Sequence, residues 1–141
     1  MNKTTVDSLV ESLKQKGFRV TAARRGMLEV FLSHHVPQTA SELIEKLEQK
    51  KIAADKTTVY REVAFLVEQG IVRDVDFGDG QKRYERADEH HHHLICSNCQ
   101  SVEDIEVDKD IGRIERAIAK RTKFVIQRHL FEFFGLCQRC A

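Results

Sequence analysis

Asp55-Lys56-Thr57-Thr58-Val59-Tyr60-Arg61-Glu62-Val63-Ala64-Phe65-Leu66-Val67-Glu68-Gln69-Gly70 is the stretch on which the fold turns. Asp55 can cap a helix start; Val59, Val63 and Leu66 fall at i, i+4 and i+7 on one face; and Gly70 stands where a helix ends in a left-handed turn. Tyr60 and Arg61 lie off that apolar line. Directly after it, Ile71–Val75 and Lys82–Glu85 read as two strands around Gly78-Asp79-Gly80, a glycine-rich hairpin. A helix with an exposed Tyr-Arg edge followed by a two-stranded ribbon is the order of a winged helix-turn-helix, which sets one helix in the major groove of DNA.

Upstream, three shorter amphipathic helices are expected. Val6, Leu9, Val10 and Leu13 recur at helical spacing up to Gly17. Thr21 caps a second helix that buries Met27, Leu28, Phe31 and Leu32 and is broken by His34-His35-Val36-Pro37. Thr39-Ala40-Ser41-Glu42 is a capping-box pattern opening a third, with Ala40, Leu43, Ile44 and Leu47 inward. Lys14, Lys16, Arg19, Arg24 and Arg25 follow one another with no acid between, a local cationic patch that reads equally well as solvated helix surface.

The chain changes character at about Arg86, which divides it into an expected winged-helix domain over 1–85 and a small α/β domain over 86–141. His92–Cys96 and Ser101–Val107 read as strands, Ile111, Ile114 and Ile118 as the seam of a helix, and Phe124–Gly135 as one long aromatic strand. Phe131, Phe133 and Phe134 suit either a core or a dimer interface.

Glu89 to Cys99 gathers His90, His91, His92, His93, Cys96 and Cys99, and a matching Cys137-x-x-Cys140 closes the chain. Two Cys-x-x-Cys pairs offer one tetrahedral four-thiolate zinc site, closed and therefore structural. Cys99 and Cys137 stand 38 positions apart, so the site would clip strand ends together across the lobe. On a strand, His91 and His93 share one face and His90 and His92 the other. Glu85, Asp104 and either His34 or His35 could join His91 and His93 in a thiolate-free site suited to divalent iron, manganese or zinc. Its ligands would come from both lobes, so occupancy would bear on the affinity of the DNA-reading lobe.

The 141 residues carry 23 Lys plus Arg against 22 Asp plus Glu and are 41% hydrophobic: enough for a core, with no bulk charge that selects a partner. No apolar run approaches a membrane span and Met1–Asp7 has no signal-type core, so a cytoplasmic protein is expected, in which paired cysteines hold metal rather than form disulfides.

Thr57-Thr58-Val59-Tyr60-Arg61, Gly70-Ile71-Val72, His90–Cys99 and Gly135-Leu136-Cys137-Gln138-Arg139-Cys140 together resemble the ferric uptake regulator (Fur) superfamily of bacterial metal-dependent transcription regulators, over nearly the whole chain. The resemblance implies a homodimeric repressor with an N-terminal winged helix and a C-terminal α/β dimerisation domain. It implies structural zinc on Cys96, Cys99, Cys137 and Cys140, and regulatory ferrous, manganous or zinc ion on His35, Glu85, His91, His93 and Asp104. DNA-binding positions would be Thr57, Thr58, Tyr60 and Arg61 on the recognition helix, with Arg19 at the minor groove. His90, His92 and His129 could supply an additional metal site, although His92 replaces a common Asp and Gly112 falls near an expected Glu. No cysteine is left for a zinc-sensing site. Asp104 resembles the peroxide-sensing, PerR-like branch, whereas Glu85 resembles the iron sensors. The competing readings are a metalloenzyme, for which no His-Glu-x-x-His helix, nucleophile elbow or phosphate loop is present, and a metal-storage or interaction module.

Overall fold

The computed structural model describes residues 3–88, 92–106 and 110–141. It forms two compact units, Met1–Glu89 and His90–Ala141.

In the first unit the caps set the helices. Thr5 opens α1 (Val6–Gln15) in a capping box with Ser8, and Thr21 accepts from the backbone N–H of Arg24 at the start of α2 (Ala22–Ser33). Thr39 and Glu42 exchange side-chain and backbone bonds at the head of α3 (Ala40–Gln49). Asp55 accepts from the Thr58 N–H, at 2.8 Å, to start α4 (Lys56–Glu68). Helix α4 ends in a Schellman turn: Gly70 takes φ +72, its N–H bonds the carbonyl of Val67, and the Ile71 N–H bonds that of Leu66. The same pair of bonds ends α3, with Lys51 at φ 59 in the place usually given to glycine.

The inward faces of these helices make one core. Leu13, Met27, Leu28, Val30, Phe31, Leu43, Leu47, Val59, Val63 and Leu66 are buried there with Val72 and Tyr84. Strands β2 (Val72–Asp76) and β3 (Lys82–Arg86) pair antiparallel as the expected hairpin. A two-residue strand that the sequence did not announce, β1 (Gln38–Thr39), pairs with Tyr84 and Arg83 and completes a sheet ordered β1-β3-β2. Its brevity hides it, since two residues cannot display an alternation.

The second unit is a sheet ordered β5-β4-β6 with one helix. Strand β4 (His92–Cys96) is central; β5 (Val102–Ile105) pairs with it antiparallel and β6 (Glu132–Gly135) parallel. A parallel partner needs a crossover, and α5 (Asp110–Thr122) lies in it. Two expectations need correction. The strand expected over Phe124–Gly135 is ordered as a strand only at Glu132–Gly135, where it pairs with His93–Cys96 of β4. Of the isoleucine seam on α5 only Ile111 is buried; Ile114 and Ile118 are exposed.

Large apolar exposure is the main feature of this unit. Among its described residues Ile95, Cys96 and Ile111 are the buried apolar ones, while Phe124, Val125, Leu130, Phe133, Phe134 and Leu136 are open to solvent. Leu94, Phe133, Phe134 and Leu136 line a cavity of about 420 Å³ beside Cys96 and Cys137. So much uncovered apolar surface on so small a sheet calls for a covering partner.

Candidate functional site

Helix α4 buries Val59, Val63 and Leu66 and turns Thr57, Tyr60 and Arg61 outward, with Thr58 partly covered. Tyr60 is 45% exposed, far more than packing would leave to an aromatic ring. Arg19 is also exposed, in the loop between α1 and α2. The cationic patch of the sequence is partly consumed internally: Arg25 pairs with Asp7 and Glu29, and Arg24 with Glu62.

Arg24 joins three parts of this face. Its Nε and Nη2 donate to both oxygens of Glu62 on α4, its Nη1 donates to the Arg19 carbonyl at 2.7 Å, and its guanidinium lies 3.6 Å from the Phe65 ring centroid. Both ion-pair partners are largely buried, so Arg24→Ala leaves the Glu62 carboxylate without its cation. We expect a loss of about 3 kcal/mol in urea unfolding of the first unit, the lower end for a paired charge not wholly desolvated. The arrangement of α4 against the Arg19 loop should loosen with it, because the two lose their common anchor.

In the second unit, the register of β4 and β6 builds the thiol site. Cys96 lies opposite Gly135, and the Ser97 N–H bonds the Gly135 carbonyl at 2.8 Å, so Cys137 emerges beside Cys96. The four sulfurs of Cys96, Cys99, Cys137 and Cys140 lie within 4.8 Å of one another, with Cys99 and Cys137 at 3.7 Å. Zinc–thiolate bonds of about 2.3 Å in a tetrahedron require sulfurs about 3.8 Å apart, so the quartet fits that ion. Backbone N–H groups of Cys137 and Cys99 point at the Cys96 sulfur and pull its pKa down to about 6, presenting a thiolate. Cys140 is pushed the other way, to about 11: the Asn98 side chain favours its thiolate, but Cys137, burial and the other thiols outweigh it. A cation relieves such crowding. Among the described residues no other set of three or more His, Cys, Asp or Glu ligand atoms converges so closely.

The remaining ligand candidates fall in both units. His34 is turned back on its helix, its Nδ1 at 2.9 Å from the Val30 carbonyl, whereas His35 is exposed. Glu85 is 2% exposed and accepts from Nε and Nη2 of Arg73 at 2.9 and 2.7 Å. His93 is buried on the central strand β4, level with Asp104 on β5 and Glu132 on β6. His92 stacks on His129 with ring centroids 5.3 Å apart, and His129 Nδ1 bonds Glu115 of α5. His90 and His91 lie outside the described residues. Glu115 and Glu132 are carboxylates at these histidines that the sequence reading passed over. Glu132 had a signal: it alone interrupts Leu130-Phe131-Glu132-Phe133-Phe134 with charge. Glu115 had a weaker one: it lies three residues beyond Gly112, near which the resemblance expects a Glu, at the edge of the isoleucine seam of α5.

A model of the ferric uptake regulator family matches residues 15–134. The chain belongs to the ferric uptake regulator family. The peroxide operon regulator of Bacillus subtilis (strain 168) is 30% identical over 132 residues, covering 94% of this chain and 90% of that protein. Among solved structures, the ferric uptake regulator Fur of Helicobacter pylori superposes with a TM-score of 0.83 at 24% identity, covering 99% and 97% of the two chains. That of Vibrio cholerae gives 0.77 at 29% identity, covering 92% and 99%. The fold is thus the ferric uptake regulator fold, an N-terminal helical DNA-binding domain with a wing sheet and a C-terminal α/β dimerisation domain. The chain is a metal-dependent transcriptional regulator of a non-enzymatic family whose members bind DNA operators as dimers. Among the described residues no helix is long and apolar enough to cross a membrane.

Proposed function

We propose that this chain is a cytoplasmic, homodimeric, peroxide-responsive repressor whose operator affinity depends on ferrous or manganous ion. The observation that carries the reading is Asp104: it is the carboxylate set opposite His93 on the neighbouring strand, in a chain 30% identical to a peroxide operon regulator. His35, Glu85, His91, His93 and Asp104 are the proposed regulatory ligands, a nitrogen and oxygen set that suits hard to borderline divalent ions. Cys96, Cys99, Cys137 and Cys140 hold structural zinc. Thr57 and Thr58 sit in the first turn of α4, where N–H groups and hydroxyls suit phosphate; Tyr60 and Arg61 meet base edges or backbone, and Arg19 enters the minor groove. His90, His92 and His129 form a proposed additional site.

In this reading His35, Glu85, His91, His93 and Asp104 would hold ferrous iron, which would supply redox chemistry with peroxide as the oxidant; His91 or His35 is the ligand histidine that would be oxidised, and losing that ligand would release the operator. The test is fluorescence anisotropy of operator DNA under anaerobic conditions, with ferrous or manganous ion, before and after peroxide. Binding with both ions, abolished by peroxide only in the iron form, is the expected result; binding in the iron form that survives peroxide would overturn it. Asp104→Glu is expected to slow the peroxide response several-fold while leaving metal-dependent binding in place. Glu85 favours one second reading, an iron sensor, for which peroxide would change nothing.

A further inference from the structure

We propose that Glu132 is a positioning residue for the regulatory metal, holding the proton of His93 on Nδ1 so that Nε2 faces the ion; this rests on the reading of His93 and Asp104 as ligands. His93 lies directly opposite Asp104 on one side and Glu132 on the other, so the three side chains share one level and one face of the sheet. Glu132 approaches Nδ1 with both oxygens, at 2.9 and 3.2 Å, while Asp104 Oδ1 lies 3.7 Å from Nε2. An ionised carboxylate only accepts, so the N–H belongs on Nδ1 and the lone pair on Nε2, on the Asp104 side.

The two carboxylates sit at opposite edges of one imidazole, and an ion bound at Nε2 draws its oxygen ligand from Asp104. Glu132 is the more deeply buried, its side chain 8% exposed against 23% for Asp104. A carboxylate among the aromatic residues of β6 is costly unless it is satisfied, and His93 satisfies it. A carboxylate behind a ligand histidine fixes ring orientation and raises the basicity of the ligating nitrogen.

The test uses the full-length, zinc-containing dimer with ¹⁵N-labelled histidine, and reads both the ligating nitrogen and the metal affinity. With Zn²⁺ as a diamagnetic probe in the regulatory site, long-range ¹H–¹⁵N correlations should show His93 protonated at Nδ1 and ligated at Nε2. Glu132→Gln, whose amide oxygen still accepts, should keep that pattern and weaken Mn²⁺ binding by less than Glu132→Leu. Glu132→Leu should lose the single pattern and weaken Mn²⁺ roughly tenfold to hundredfold by competition with a fluorescent chelator. Retained structural zinc and an unchanged melting temperature of the Gln variant exclude simple misfolding. Ligation of His93 through Nδ1 in the parent protein overturns the proposal. So does loss of Mn²⁺ in Glu132→Gln as complete as in Asp104→Ala, since Glu132 would then be a ligand itself. Wild-type behaviour of Glu132→Leu beside a crippled Asp104→Ala overturns the role of Glu132 alone. Unchanged Mn²⁺ affinity in Asp104→Ala overturns the underlying reading of the site.

Discussion

Replacing Cys137 with serine should release the zinc and unfold the second unit while the first continues to melt cooperatively. The described part of the second unit buries only Ile95, Cys96 and Ile111 as apolar side chains, each worth about 1.5–3 kcal/mol at most. A structural zinc site contributes on the order of 10 kcal/mol of apparent folding energy in small metal-dependent domains, more than these three side chains supply within one chain. Serine keeps the size of the side chain and removes the thiolate. Zinc stoichiometry by plasma mass spectrometry, with far-ultraviolet circular dichroism of the same sample, measures both effects. A zinc-free variant with the parent melting curve would show that the thiol quartet does not hold the unit together.

His93→Gln is expected to abolish metal-dependent operator binding, lowering affinity about a thousandfold or more, to the non-specific level. Glutamine keeps an amide donor for Glu132, so the partner carboxylate at 2.9 Å is not left buried alone, and the change is confined to the lost imidazole lone pair. The buried position of His93 makes the substitution more telling than one at exposed His35, where solvent can take the place of a lost ligand. Anisotropy with manganous ion reads the effect, and salt titration separates the residual binding, since non-specific affinity depends most steeply on ionic strength. Parent-like manganese dependence would remove His93 from the ligand set.

Much of the first unit was legible because its signals are local. Thr21, Thr39 and Asp55 cap the helices they precede, and the α4 face Val59, Val63 and Leu66 is buried to the last residue. The cysteine pairs were legible for a different reason: Cys-x-x-Cys carries its geometry in its spacing, and the convergence of two such pairs needs no knowledge of the path between them. What sequence could not give was pairing. β6 is a strand where it pairs with His93–Cys96 of β4, β1 exists only because β3 runs beside it, and Glu132 acquires a role only when a parallel register sets it opposite His93. Aromatic content alone suggests a long strand over Phe124–Gly135, yet Phe124–Phe131 is irregular chain and only Glu132–Gly135 is paired.

Strand β4 carries Cys96 at one end and His93 three residues before it, and the thiol quartet ties that end to the residues just after β6. A slip of one residue between β4 and β6 would turn Glu132 to the wrong face, so the ring of His93 is aligned by the same clip that holds the cysteines. This imposes a sequence in time on the newly made chain. On the proposed ligand sets, zinc loading is expected to precede that of the regulatory ion, because the thiol quartet fixes the register in which His93, Asp104 and Glu132 stand level. Under that reading a cell short of zinc accumulates regulators blind to their own signal, and the abundance of one metal sets how many molecules are able to report on the other.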